Sequence, residues 1–110
     1  MSTTSGWSFE FLNAVVKAEA DALSDDIRAK LFRYAEIIED EGLDVLPYGW
    51  VKPLGEKLWE LRLTGRDGIA RAIYVTATGK RVVIVRVFVK KTEKTPPKEL
   101  RIARMRAKEV

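Results

Sequence analysis

The 110-residue chain contains neither cysteine nor histidine. Without thiols there are no disulfides, thiolate nucleophiles, iron–sulfur clusters or cysteine-type zinc sites. Without imidazole there is no histidine general base, no Ser-His-Asp triad and no imidazole metal ligand. Any chemistry is left to Lys, Arg, Glu, Asp, Tyr, Ser or Thr. No apolar run approaches the roughly 18 residues of a membrane span, and Met1–Gly6 shows no basic stretch leading into an apolar one. The expectation is a soluble cytoplasmic protein with no membrane partner. Proline and glycine are sparse, at 4 and 7 residues, and form no linker. Length and composition suit one domain over residues 7–110 behind a loose polar tail at 1–6, and a core of this size needs no metal or disulfide to hold it.

Charge is present and unevenly spread. The formal net charge is +4, yet residues 1–55 carry ten acidic side chains against five basic ones (Lys17, Arg28, Lys30, Arg33, Lys52). Residues 56–110 carry fifteen basic against six acidic, and the stretch from Lys80 onward alone reaches +8. A basic second half points to a polyanion-binding surface, nucleic acid being the commonest polyanion, although a merely solubilising face gives the same pattern.

Periodicity separates the halves. Trp7, Phe9 and Phe11 alternate as in a short strand. Leu12, Val15, Val16, Ala20 and Leu23 follow at helical spacing, and Ser24-Asp25-Asp26 then opens a second helix carrying Ile27, Leu31, Tyr34 and Ile38 and ending at Gly42. A loop with Pro47, Tyr48, Gly49, Trp50 and Pro53 precedes three strands at Lys57–Leu63, Ile69–Thr76 and Val82–Lys90, joined by turns at Thr64–Gly68 and Ala77–Lys80. Thr95 is placed to cap a last helix whose first turn holds Pro96 and Pro97. The expected fold class is α+β: an N-terminal helical hairpin packed on a small antiparallel sheet, with a basic C-terminal helix.

Strand alternation sorts the polar residues onto faces. Trp59, Leu61 and Leu63 mark a core face, so Glu60 and Arg62 point together to the other side; Val83, Val85, Val87 and Val89 leave Arg86, Phe88 and Lys90 opposite. Arg71 shares parity with Ile73 and Val75, which puts it at a sheet end or makes it a partly buried arginine with a partner. Arg62 and Arg71 could equally be paired with Glu60 or Glu56 on a solvated face. Lys90, Lys91 and Lys94 could be edge-strand lysines that deter aggregation. As chemistry, one glutamate among arginines makes a poor magnesium site. Metal-free cleavage of RNA is open to it, because the 2′-OH is an internal nucleophile: a base takes its proton, cations offset charge on the phosphorus, and an acid serves the leaving 5′-oxygen.

Four blocks carry a resemblance: Val51-Lys52-Pro53-Leu54, Leu58-Trp59-Glu60-Leu61-Arg62, Gly68-Ile69-Ala70-Arg71-Ala72-Ile73-Tyr74, and Val87-Phe88-Val89-Lys90-Lys91-Thr92-Glu93-Lys94-Thr95-Pro96. In order and spacing they resemble the phage-derived HigB-like branch of the RelE/ParE toxin superfamily, across residues 8–108. The resemblance implies a RelE-like fold with an added N-terminal strand, and the toxin of a type II toxin–antitoxin pair. Such a toxin is a cofactor-free endoribonuclease that inhibits translation by cutting mRNA on the ribosome and is neutralised by a helix-turn-helix, HigA-like antitoxin. Residue by residue it implies Arg62 and Arg71 on the scissile phosphate, Lys90 or Lys91 in proton transfer, and Glu60 orienting or competing for the proton. Lys94 with Lys98 and Arg101 of the last helix would hold RNA backbone, beside Arg86 and Phe88. A ParE-like toxin acting on gyrase shares the fold, and a plain basic RNA-binding module shares the charge.

Overall fold

The computed structural model describes residues 5–66, 68–91 and 94–110. The polar tail at 1–4, Asp67 of the first turn, and Thr92-Glu93 lie outside the described residues. The elements are β1 (Ser8–Phe11), α1 (Ala14–Asp21), α2 (Asp25–Glu41), a 3₁₀ turn (Leu43–Val45), β2 (Val51–Gly55), β3 (Leu58–Gly65), β4 (Gly68–Ala77), β5 (Arg81–Lys90) and α3 (Pro97–Ala107). The five strands form one sheet in the order β1-β5-β4-β3-β2.

Two parts of the expected architecture are corrected. The sheet is mixed, because β1 runs parallel to β5 while all other pairs are antiparallel. The N-terminal region is a strand followed by two helices and not a helical hairpin: α1 packs on β5 and β1, whereas α2 packs on β3, β1 and the 3₁₀ turn. The eight-residue α1 exposes little apolar surface beyond Val16 and Ala20, and both go to the sheet. Too little is left for pairing with α2. The segment expected as a loop around Pro53 also contains β2, an edge strand that tolerates a proline, with Pro53 opposite Trp59.

Helix ends follow local chemistry. Asn13 Oδ1 accepts from the Val16 amide at 3.0 Å and starts α1. Asp25 and Asp26 occupy the first turn of α2 beside its positive end. Gly42, at φ 102°, closes that helix in a conformation a side chain resists. Ser5 Oγ donates to the Ile38 and Glu39 carbonyls at 2.7 and 3.0 Å, tying the chain ahead of β1 to that same end.

The helices occupy opposite faces of the sheet. Val16, Ala20, Ile27, Leu31 and Ile38 pack with Leu61, Leu63, Ala70, Ala72, Val82 and Ile84, while Ala103 of α3 packs with Leu58, Ile73, Val75, Val83 and Val85. A bulge corrects the expected alternation in β5. Ile73 pairs with Arg86 but Tyr74 pairs with Ile84, so Val85 is an extra residue and the parity flips across it. Val83 and Val85 therefore lie under α3 and Val87 under α1, while Val89 is exposed.

Each edge of the sheet is only half covered by strand. Past Phe11 the chain leaves β5 for α1, and Glu19 of that helix takes over, its Oε1 accepting the Val87 amide at 3.1 Å. On the other edge β2 reaches back along β3 only as far as the contact between the Arg62 amide and the Trp50 carbonyl, at 2.7 Å. The remainder of β3 lines a cleft.

Candidate functional site

Alternate residues of four adjacent strands converge on the α3 face at the end of the sheet nearest the start of that helix. Lys52 lies opposite Glu60, Arg62 lies opposite Arg71, and Arg71 lies opposite Phe88, two residues before Lys90. Glu60, Arg71 and Lys90 are 1%, 4% and 5% exposed, unusual burial for charged side chains. Arg71 Nε stands 3.5 Å from Glu60 Oε1. Two arginines directly across a ladder repel, and Glu60 on the diagonal offsets that repulsion.

This group is tense. Burial pulls the Arg71 guanidinium below its ordinary range, Glu60 opposes that, and Arg62 adds to it. Arg71 Nη1 donates to the Ala70 carbonyl at 2.9 Å, but its buried Nε makes no hydrogen bond among the described residues. Burial also lowers Lys90, reinforced by Arg71, Arg62 and Lys52 and resisted by Glu60. A lysine held this way gives up its proton more easily than a solvated one. An orphaned guanidinium N–H beside it suits an anionic oxygen.

Thr95 differs from its expected role. The helix cap position is Pro96, with no side-chain cap, and the Thr95 hydroxyl instead donates to Glu60 Oε2 at 2.8 Å. Glu60 is thereby held at both oxygens. Lys52 was overlooked because it sat in a segment read as loop, although its parity with Leu54 marks the face.

Other expected site residues lie elsewhere. Phe88 is buried in the apolar cluster under α3 and offers no stacking surface. Arg86 is spent on structure. Its Nη1 donates to Glu19 Oε2 at 2.6 Å and its Nε and Nη2 donate to Glu99 at 2.9 and 3.3 Å, while Arg106 Nη1 donates to Glu19 and to the Val85 carbonyl, both at 3.0 Å. This network ties α1, β5 and α3 together. Lys91, Lys94, Lys98 and Arg101 are exposed.

Arg62 and Arg71 also line a cleft of about 560 Å³ at the uncovered part of β3, with Lys30, Arg33 and Tyr34 of α2 and Trp50. The Tyr34 hydroxyl donates to the Arg62 carbonyl at 3.0 Å, and Lys30 Nζ donates to the Thr64 carbonyl. Trp50 and Tyr34 stack with centroids 4.7 Å apart and planes 10° off parallel. No helix among the described residues is long and apolar enough to cross a membrane.

A buried Glu–Arg–Lys group on a sheet face, opening beside a cationic cleft, is an arrangement for handling an anion. No curated protein matches the chain. Residues 18–108, which contain all these groups, match the family described as phage derived protein Gp49-like (DUF891). The chain therefore belongs to the Gp49-like family, within the RelE/HigB-like toxin superfamily.

Proposed function

We propose that the protein is the toxin of a type II toxin–antitoxin pair and acts as a metal-free endoribonuclease on mRNA, engaged on the ribosome. One observation carries the reading: Arg71, nine-tenths buried with an Nε that lacks a hydrogen bond, stands among Glu60, Arg62, Lys52 and Lys90 at the mouth of a cationic cleft. Membership of a family associated with toxin–antitoxin systems supports it.

In this mechanism Arg62 and Arg71 bind the non-bridging oxygens of the scissile phosphate and offset the charge that develops in the transition state. The 2′-OH loses its proton, O2′ bonds to phosphorus, and the P–O5′ bond breaks as the 5′-oxygen takes up a proton. The products carry a 2′,3′-cyclic phosphate and a 5′-OH. Lys90, with its lowered proton affinity, serves in proton transfer, and Glu60 holds Arg71 in place. Glu60 is already bound by Arg71 and Thr95, so the donor set suits phosphate better than a divalent cation. The antitoxin partner follows from the toxin reading.

The test is induction without antitoxin, followed by primer extension on total mRNA. Wild type should arrest growth and leave discrete 5′ ends; Arg71→Ala should lose both by at least about a hundredfold, the scale of an oxyanion contact. Growth arrest with intact transcripts would favour a protein target such as gyrase, and undiminished cleavage by Arg71→Ala would sink the assignment.

A further inference from the structure

The cleft beside Arg62 and Arg71 continues beyond the reach of the cleavage chemistry. Its far wall is α2, where Lys30 and Arg33 stand three residues apart on one helix face. Trp50 closes one side. Its indole is half-buried, is backed by the stacked ring of Tyr34, and lines the cavity. The acid on this wall, Asp26, is engaged by the Ser24 hydroxyl at 2.9 Å and by the Arg66 amide, which hold its carboxyl below the usual range. The volume, about 560 Å³, falls within the roughly 300–1,000 Å³ of small-ligand sites.

Cations on one side of a groove and an aromatic plate on another are the two parts needed to hold a single-stranded nucleic acid, because phosphates seek the first and bases stack on the second. An acidic peptide would use the cations and leave the indole idle. We propose that this cleft is an RNA subsite, seating a nucleotide next to the scissile phosphate with its base against Trp50 and its own phosphate against Lys30 and Arg33. The proposal rests on the reading that Arg62 and Arg71 hold the scissile phosphate. It assigns RNA contacts to the acidic half of the chain, through a helix whose other side builds the core.

The experiment uses the intact protein and a fluorescein-labelled single-stranded RNA, 2′-O-methylated to prevent cleavage, read by anisotropy at several salt concentrations. Unmodified mRNA is assayed in parallel for cleavage, and circular dichroism melts report folding. Lys30→Ala/Arg33→Ala should bind at least about tenfold more weakly, and its log–log salt slope should flatten by about 1.4 for two lost phosphate contacts on a single strand. Trp50→Ala should lose about tenfold. Trp50→Phe should retain most of the binding, which separates stacking from fold, and Lys17→Ala should match wild type. Binding within twofold of wild type by the double variant overturns the subsite while cleavage of mRNA leaves the nuclease reading standing. A glutamate-rich peptide that binds as tightly as the RNA and depends equally on Lys30 and Arg33 also overturns it. If mRNA stays uncut but RNA binding follows the expected pattern, the subsite is supported and the nuclease reading fails. Wild type that binds no RNA overturns both.

Discussion

Lys90 shows how a side chain acquires reactivity from its neighbours. Its strand position is ordinary, but burial and the cations Arg71, Arg62 and Lys52 lower its proton affinity. The sign of the consequence is fixed by linkage. Between the native pKa and the higher unfolded value, the unfolded chain binds more protons, so stability rises with pH. Below the native pKa the charged lysine costs stability in full. Urea unfolding from pH 7 to 10 should therefore show Lys90→Met gaining most over wild type at neutral pH, with the gap closing as pH approaches the unfolded value near 10.4. Parallel pH dependences would mean Lys90 is not perturbed. Arg71 was legible in the sequence as an arginine out of phase with its strand, and Glu60 as a candidate partner. Thr95 was misread because a threonine before two prolines satisfies the local rule for a helix cap, while its actual acceptor lies 35 residues away in β3.

Among the elements, the strands and helices were nearly all visible as periodic patterns, since each buries one face. What periodicity missed was pairing. A parallel β1–β5 contact joins residues more than 70 apart in sequence, and no local signal distinguishes a parallel edge strand from an antiparallel one. The bulge at Val85 was equally hidden, because a run of five apolar or β-branched residues from Val82 to Arg86 reads the same with either parity. Where β1 ends, Glu19 completes the edge and joins Arg86 and Arg106. Glu19→Ala should cost about 3 kcal/mol, given two charged partners and a backbone amide left behind. Hydrogen exchange should speed at the Val87 amide and in α3 together; unchanged protection in α3 would show the network to be ornamental.

For the whole molecule, the distribution of charge along the chain is a poor map of its distribution in space. Much of the excess in the basic half is neutralised at home: Arg81 meets Glu10 at 2.6 Å, Arg104 meets Glu56 at 3.4 Å, and Arg86 and Arg106 share Glu19. Three of the five cations of the acidic half, Lys30, Arg33 and Lys52, are gathered instead at the cleft and the buried group. RNA affinity should follow this arrangement. Arg81→Ala and Arg104→Ala should change it by less than about twofold, as expected of exposed ion pairs, while Arg62→Ala should weaken it about tenfold, as expected of a charged contact worth 1–3 kcal/mol. Equal losses in anisotropy titrations would show that net charge alone governs binding.

The sequence by itself determined the chemistry available, a site without thiol or imidazole, and the elements that carry it, because composition and period-2 or period-3.6 burial are local properties. It also placed Glu60, Arg62 and Lys90 on one face, since strand parity needs only a few residues. The tertiary structure alone decided which charges remain at the site and which are consumed. That outcome depends on pairings across 35 to 87 residues, among them Thr95 with Glu60 and Arg106 with Glu19, and a charge acts at the distance folding sets, not at its separation along the chain.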